Sequence, residues 1–190
     1  MNESVDICRG AETPKVEEEK ENNQLSRSIC DSFASVFSRN YNINQLFFSL
    51  VKKLNKFFSI NRSVLVVYSA RDDSLKVLAM KRDRGTCEGL AVTLPDKDSL
   101  LYRIFHERMI YTENYPSSFE GNFVERRLLI DDCTKSLLVW PIRSDGFCNG
   151  LICLSSPVIY AFELIAEGCL EYVVDRFGKE VENCLTAVNV

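Results

Sequence analysis

The sequence is poor in the residue types on which most catalytic sites depend. It has one histidine, His106, so Ser-His-Asp or Cys-His catalysis would rest on that single residue. His106 follows Phe105 on a short predicted helix, where a solvent-facing or capping role is the simpler interpretation. The chain also lacks a glycine-rich phosphate loop, a two-histidine metal helix and a calcium loop. We therefore predict no catalytic residues and no metal ligands.

Long apolar runs and an excess of positive charge are also missing. The chain has 23 Lys and Arg against 27 Asp and Glu, a net charge of −4, so nothing overall attracts it to nucleic acid or to anionic lipid. No apolar run approaches the roughly 18 to 20 residues that a bilayer requires, and the first residues do not resemble a signal peptide. We expect a cytosolic protein of one domain, with no nucleic-acid or membrane partner.

The cysteines do not form a recognisable metal or redox motif. None of the eight lies in a Cys-x-x-Cys pair, and disulfides would be expected only in a short secreted chain. Most are interpreted as reduced core residues, because free cysteine packs like a small hydrophobe. They are Cys8, Cys30, Cys87, Cys133, Cys148, Cys153, Cys169 and Cys184.

The N-terminal quarter divides into a polar tail and two helices. Residues 1–23 are acidic and have few large apolar side chains, which predicts a disordered tail, and a single domain then covers residues 24–190. From Gln24 to about Asn40, apolar residues recur every four positions and indicate one face of a helix. A second helix follows, with Asn42 or Asn44 as its N-cap. Its apolar stripe is Ile43, Phe47, Leu50, Leu54 and Phe57 or Phe58.

The middle of the chain has the pattern of an antiparallel sheet. Residues 63–69 and 75–81 are apolar runs on either side of a polar turn, and residues 137–142 and 150–156 form a second such pair around Asp145-Gly146. Between the pairs we predict a weak strand at 90–94, a short helix after Ser99, an edge strand in MIYTEN and an irregular segment with a helical turn in FVERRLLI. The prediction is an α+β fold: a central antiparallel sheet of five to six strands with the terminal helices packed on one face.

The last predicted helix, from Ala161, carries a near-heptad apolar stripe. Its members are Phe162, Ala166, Leu170, Val173, Phe177, Val181, Cys184 and Val188. Such a stripe is long enough to pair with a second helix, so we predict a homodimer built on the terminal helices. The predicted interface residues are Leu25, Ile29, Phe33, Phe177 and Val181.

Three stretches of sequence follow one another in the order of the elements of a GAF domain. They are SVLVVYSARDDSLKVLAMKRDRG, SLLYRIFHERMIYTEN and KSLLVWPIRSDGFCNGLICLSS. The third, with its hydrophobic strand, proline, turn, glycine and returning strand, is the most specific. Over roughly residues 40 to 185 the chain resembles that family of PAS-related sensor modules. The resemblance implies a GAF/PAS-like fold that binds a small molecule and signals, as a homodimer, to a downstream domain or protein.

By that resemblance, the ligand would lie between the sheet and segment 111–129. Thr112, Asn114 and Arg127 are the predicted polar anchors, with Tyr115, Phe119 and Phe123 as aromatic walls. Arg84, like Arg82 and Arg126, is a candidate partner for an anionic group. Two alternatives stay open: Phe119 and Phe123 fill the space themselves, and Trp140 fills core instead of lining a cavity.

The ligand and the cofactor are not identified by the sequence. The Asn-Lys…Phe…Asp-Glu pattern of cyclic-nucleotide GAF domains is not reproduced, although a cyclic nucleotide or another small anion is the class we expect. Neither a bilin cysteine setting nor a haem histidine cluster is present. A ligand-free dimerisation module is the first alternative. The second is a free methionine sulfoxide reductase, which has the same fold and cysteines near the regions of Cys87 and Cys133, but different flanking residues.

Overall fold

The computed structural model describes residue 33, residues 36–37, 42–82, 85–163 and 170–188. Within these residues the structure is an α+β fold with four helices of the α type and six strands. In chain order they are α1 (Ile43–Leu54), β1 (Arg62–Ser69), β2 (Ser74–Arg82), β3 (Gly85–Thr93), α2 (Leu100–Glu107), β4 (Tyr111–Glu113), α3 (Phe123–Leu129), β5 (Ser136–Ser144), β6 (Phe147–Ser156) and α4 (Glu171–Val188). The predicted disordered tail, residues 1–23, lies outside the described residues.

Helix α1 begins at the predicted cap. The side chain of Asn42 accepts from the backbone N–H of Gln45 at 2.9 Å, and the side chain of Gln45 accepts in return from the N–H of Asn42, which makes a capping box. The apolar positions recur at helical spacing and bury one face against the sheet. The buried residues are Leu46, Phe47, Leu50, Val51 and Leu54.

The six described strands form one antiparallel sheet in the order β3-β2-β1-β6-β5-β4. Both predicted hairpins are confirmed, and the β5–β6 turn is formed by Asp145 and Gly146 with φ of 47° and 83°. Two consecutive positive φ values suit a two-residue hairpin turn, which is why Asp-Gly occurs there. Strand β3 is longer than the predicted strand at 90–94, and a bulge interrupts its register with β2.

The sheet is covered on both faces, and each face has its own apolar core. On one face, α1 and α4 pack over residues that include Leu65, Leu138 and Trp140. On the other face, α2 and the segment containing α3 pack over residues that include Val64, Val139 and Cys153. The prediction that the terminal helices share one face is confirmed. The strands read as continuous apolar runs because both of their faces are buried.

The apolar stripe of α4 faces the core of its own chain. Phe177 and Val181 are fully buried on the α1/α4 face of the sheet, and so is Phe33. These three side chains are therefore not available to a second chain, and their prediction as dimer contacts is corrected. A helix that packs on a sheet needs the same apolar spacing as one that packs on a partner helix. Leu25 and Ile29 lie outside the described residues.

No helix in the part of the chain that the structure describes has the length and hydropathy needed to cross a membrane.

Candidate functional site

The space between the sheet and segment 111–129 is filled with side chains. Phe119 is buried and packs into the core on this face, together with Leu129 from α3 and Leu101 from α2. Of the two alternatives for this space, an internal ligand cavity or filling by Phe119 and Phe123, the structure has the second for Phe119 only, because Phe123 is exposed. The prediction that Phe119 is a wall of an internal cavity is corrected: its ring occupies that volume.

A buried carboxylate, Glu125, fixes α3 against the first turn of α2. It accepts from the backbone N–H groups of Leu100 and Leu101, both at 3.0 Å, from the N–H of Asn122 at 3.1 Å, and from the hydroxyl of Ser99. The first N–H groups of a helix have no partner within the helix and carry partial positive charge, so they stabilise an anion. The sequence does not indicate this role. The Asn-x-x-Glu spacing at Asn122 indicates only a capping box, which the structure also forms.

An open cleft of about 620 Å³ lies on the outer side of α3, and we call it the α3 cleft. It is bounded by the segment that precedes α3, by α3 itself, by the loop that leads into β5 and by one residue after β6. Its lining residues are Asn114, Tyr115, Pro116, Ser117, Phe123, Arg126, Arg127, Ile130, Asp131, Asp132, Thr134, Lys135 and Ile159. The lining thus combines two aromatic residues, Tyr115 and Phe123, with three cations, Arg126, Arg127 and Lys135.

Aromatic side chains stand exposed at the α3 cleft. Tyr115 is 59% exposed and Phe123 is 72% exposed. The hydroxyl groups of Tyr115 and Tyr160 lie 3.3 Å apart, and the side-chain oxygen of Asn114 accepts from the backbone N–H of Tyr160 at 3.2 Å. These contacts tie the segment before α3 to the segment after β6. The cleft therefore has aromatic rings held by hydrogen bonds at its edge.

Positive charge also gathers at the α3 cleft. The guanidinium of Arg127 lies 5.6 Å from the centroid of the Phe123 ring, a cation–π arrangement. Among the residues that the structure describes, no salt bridge is formed by Arg126, Arg127 or Lys135. Three cations without a carboxylate partner, beside exposed rings, suit a planar ligand that carries an anionic group.

The aspartate in the cleft wall, Asp131, is already engaged by the protein. It forms a salt bridge with Arg62 at 3.1 Å and accepts from Thr134 Oγ1 at 2.8 Å and from Cys133 N at 3.1 Å. Burial alone would raise the pKa of this carboxyl, but the Thr134 hydrogen bond and the charge of Arg62 outweigh it and lower the pKa. Asp131 is thus a fixed anion that organises the loop, and Asp132 is the other carboxylate of the lining; neither forms a salt bridge with the cleft cations within the described residues.

The structure brings together four of the predicted ligand residues: Asn114, Tyr115, Phe123 and Arg127. Two others are corrected. Thr112 lies opposite Leu138, and directly paired residues share a face of the sheet, so Thr112 lies on the α1/α4 face. Trp140 is buried in the core of that same face and lines no cleft here. Arg84 lies outside the described residues. Arg126, a predicted candidate partner for an anionic group, also lines the cleft, whereas Lys135 and Asp131 line it but were not predicted.

The two cysteines considered for redox chemistry lie far apart in the fold. Cys87 is on β3, at one edge of the sheet, and Cys133 is in the loop before β5. Four interstrand steps separate β3 from β5, which at about 4.8 Å each amounts to roughly 19 Å. A disulfide needs Cα atoms within about 7 Å, so these two cannot be bridged without rearrangement. Both are exposed, whereas Cys153 is buried, and burial raises the pKa of its thiol.

His106 is exposed near the end of α2, and its ring packs against Phe105 at 5.4 Å. In the described part of the chain, no cluster of three or more His, Cys, Asp or Glu residues is arranged to hold a metal ion.

Neither a protein-family model nor a curated protein matches the sequence. Solved structures do match the fold. The GAF domain of a phosphoenolpyruvate-protein phosphotransferase from Coxiella burnetii is 13% identical, with a TM-score of 0.69 over 89% of this chain and 99% of that one. The GAF domain of a two-component sensor histidine kinase from Bacillus halodurans is 20% identical, with a TM-score of 0.60 over 74% and 94%.

The same fold also occurs in an enzyme. The free methionine-R-sulfoxide reductase from Neisseria meningitidis, solved with its substrate, is 15% identical, with a TM-score of 0.67 over 95% of this chain and 98% of that one. At these identities the similarity concerns the fold and not the chemistry. Together with the strand order, the two hairpins and the paired cores, these matches show that this chain has the GAF fold.

Proposed function

We propose that this chain is a non-enzymatic regulatory GAF domain that senses a small anionic ligand at the α3 cleft. The observation that carries the proposal is the composition of the cleft: exposed rings of Tyr115 and Phe123 beside the unpaired cations Arg126, Arg127 and Lys135. Exposed apolar groups that lie together beside a polar rim are typical of a binding surface.

The ligand class follows from this lining. The ring of Phe123, already covered on one side by Arg127, offers a surface for a planar group. The guanidinium forks of the two arginines match a phosphate or a carboxylate. A cyclic nucleotide, or a nucleobase or aromatic acid that carries an anionic group, has both features. Because the cleft is open, such a ligand would keep part of its surface in water.

A route for signalling starts at the end of α3. Arg62 at the start of β1 donates from Nη1 to the backbone carbonyls of Arg127, Leu128 and Ile130, at 3.0, 3.1 and 3.2 Å. The other face of β1 carries the core under α1 and α4. A ligand that shifts α3 would therefore act on the strand beneath the terminal helices, provided that it binds the two arrangements with different affinity.

The proposal is tested by a thermal-shift screen of cyclic nucleotides, nucleobases and aromatic carboxylates. A ligand at 100 times its dissociation constant adds about 2.7 kcal/mol to the free energy of unfolding. We expect a hit whose affinity falls about tenfold or more in Arg127→Ala and in Phe123→Ala, because each removes a direct contact. Arg103→Ala is the matched control, since Arg103 is an exposed arginine paired with Glu120 outside the cleft. A hit that is unaffected by both cleft variants would place the site elsewhere.

A ligand-free interaction module is the second candidate. It is favoured by the filled interior, where Phe119 occupies the volume in which an enclosed ligand would lie. Native mass spectrometry of freshly purified protein separates the two candidates, because it reports bound ligand and oligomeric state together. A dimer without ligand, and no hit in the screen, would favour the interaction module.

The reductase is the third candidate, because it shares the fold. The separation of Cys87 from Cys133 speaks against it. Turnover of free methionine sulfoxide that disappears in Cys133→Ser would establish the reductase instead. The five described cysteines are free thiols, which supports our placing the protein in a reducing compartment such as the cytosol.

A further inference from the structure

A second and smaller pocket lies on the opposite face of the sheet, where α1 ends, and we call it the α1 pocket. Its volume is about 210 Å³. It is formed by the last turn of α1, the loop after it, the start of β1 and the end of β2. The lining residues are Val51, Asn55, Ile60, Asn61, Arg62, Ser63, Lys81 and Arg82. None of them lines the α3 cleft.

The buried polar atoms without a hydrogen-bond partner include two that belong to the α1 pocket, the hydroxyl of Ser63 and the side-chain oxygen of Asn61. Ser63 is 1% exposed and lies on β1, on the same face as Leu65 and Val67. Folded proteins satisfy almost all such atoms, either internally or through a bound molecule, because an unpaired buried polar atom is destabilising. A pocket that is polar and holds several water volumes, at about 30 Å³ each, has room for such a molecule.

The donors and acceptors in the α1 pocket are specified by their neighbours. The amide nitrogen of Asn61 donates to both carboxylate oxygens of Asp131, at 3.3 and 3.4 Å, so the oxygen of Asn61 is presented as an acceptor. The side-chain oxygen of Asn55 is already used, because it accepts from the N–H of Ile60 at 2.5 Å. Ser63 is able to donate. The occupant therefore needs at least one acceptor, for Ser63, and one O–H or N–H donor, for Asn61.

The charge of the pocket favours an anion. Lys81 and Arg82 line it, and neither forms a salt bridge within the described residues. Arg62 is engaged with Asp131 and with the carbonyls at the end of α3. No carboxylate belongs to the lining, as far as the structure describes it. Two cations and a buried hydroxyl donor therefore face one neutral acceptor.

We propose that the α1 pocket binds hydrogen phosphate. This ion keeps a P–OH group at neutral pH that donates to Asn61, while its other oxygens accept from Ser63 and from the cations Lys81 and Arg82. Sulfate has the same shape but no O–H at this pH, so one of its oxygens would face the oxygen of Asn61. The pocket accordingly selects phosphate, and arsenate with its equivalent protonation, over sulfate. This site shares no lining residue with the anion site proposed at the α3 cleft.

The test is isothermal titration calorimetry of the full chain with inorganic phosphate, arsenate and sulfate in a buffer without other oxyanions. We expect phosphate and arsenate to bind with similar affinity and sulfate about tenfold or more weakly, because sulfate places acceptor against acceptor. Equal binding of sulfate would overturn the proposal, since it would reveal an unspecific attraction to the two cations. No heat with phosphate at millimolar concentration would overturn it as well, and would leave the pocket to water.

Variants locate the site. Ser63→Ala should weaken phosphate binding about tenfold or more, and Ser63→Cys, which keeps the volume but donates weakly, should do the same. Ser74→Ala is the matched control, because Ser74 is also a buried strand serine with an unpartnered hydroxyl but does not line the pocket. Lys81→Met should weaken binding, whereas Arg127→Ala in the α3 cleft should leave it unchanged. Phosphate binding that survives Ser63→Ala and Lys81→Met, or that disappears in Arg127→Ala, would refute the assignment.

Discussion

The buried carboxylate of Glu125 provides the sharpest stability prediction. Each of its oxygens accepts two hydrogen bonds: Oε1 from Ser99 and Leu101, and Oε2 from Leu100 and Asn122. In Glu125→Gln, one oxygen becomes an NH2 group that faces two donors, so two bonds to a charged acceptor are lost. At about 1.5–3 kcal/mol each, the gross loss is about 3–6 kcal/mol. The variant no longer buries a charge, which offsets part of that loss, so we expect a net destabilisation of about 2–4 kcal/mol.

The assay is urea unfolding followed by the fluorescence of Trp140, the single tryptophan, which is buried on the opposite face of the sheet and so reports on global unfolding. Glu120→Gln is the matched control: Glu120 is five residues away, exposed and paired with Arg103. Loss of a surface pair should change the free energy of unfolding by less than about 1 kcal/mol. If Glu125→Gln also lies within 1 kcal/mol of the wild type, the carboxylate does not hold α3 to α2 as described.

Three further predictions concern other parts of the fold. A Cβ added at Gly178 on α4 would lie 2.0 Å from the carbonyl oxygen of Arg143. Gly178→Ala should therefore push the helix off the sheet and lower the free energy of unfolding by about 1–3 kcal/mol. The control Lys179→Ala changes an exposed residue and should alter that free energy by less than about 0.5 kcal/mol. In thiol labelling of the native protein, Cys87 and Cys133 should react while Cys153 reacts only after unfolding, since burial raises its pKa; fast labelling of Cys153 would contradict its position in the core. The pKa of Asp131 is lowered from 3.8 in the folded state, so its contribution to stability is present above that value and is lost as the pH falls through the lowered folded pKa. In Asp131→Asn, the free energy of unfolding should therefore depend less on pH below about pH 4. An unchanged pH dependence in that range would refute this role.

The order of elements could be predicted from the sequence because it depends on local signals. Polar turns such as Asp145-Gly146 separate apolar runs, and Asn42 caps α1, so each signal lies within a few residues of the element that it defines. The hairpins and the helix at 123–129 were confirmed for that reason. The extent of β3 was not predicted, because its sequence, GTCEGLAVT, contains two glycines and its pairing with β2 is interrupted by a bulge. The segment is a strand because it pairs with β2, and not because of its own residues.

The core that each side chain of β5, α4 and the irregular segment would face could not be predicted from the sequence. Strand β5 is buried on both faces, so its run LLVWPI shows no alternation, and nothing local tells that Trp140 points to the α1/α4 face. The stripe on α4 has the spacing of a helix that pairs with another helix, but the sheet of its own chain buries it. In the irregular segment, Phe119 and Phe123 look equivalent in sequence, yet one is in the core and the other is in solvent.

The filled interior determines where this GAF fold is able to respond to a small molecule. Since Phe119 and the core beneath it occupy the volume between the sheet and α2, binding energy has to come from openings at the surface, where a ligand is only partly desolvated. The α3 cleft and the α1 pocket open on different faces, yet Asp131 borders the cleft while its partners Asn61 and Arg62 line the pocket. An occupant of the pocket that contacts Asn61 therefore acts on the residue that anchors the cleft loop. If both sites are occupied as proposed, the affinity of each for its ligand depends on the other, and by linkage the two effects are equal in free energy.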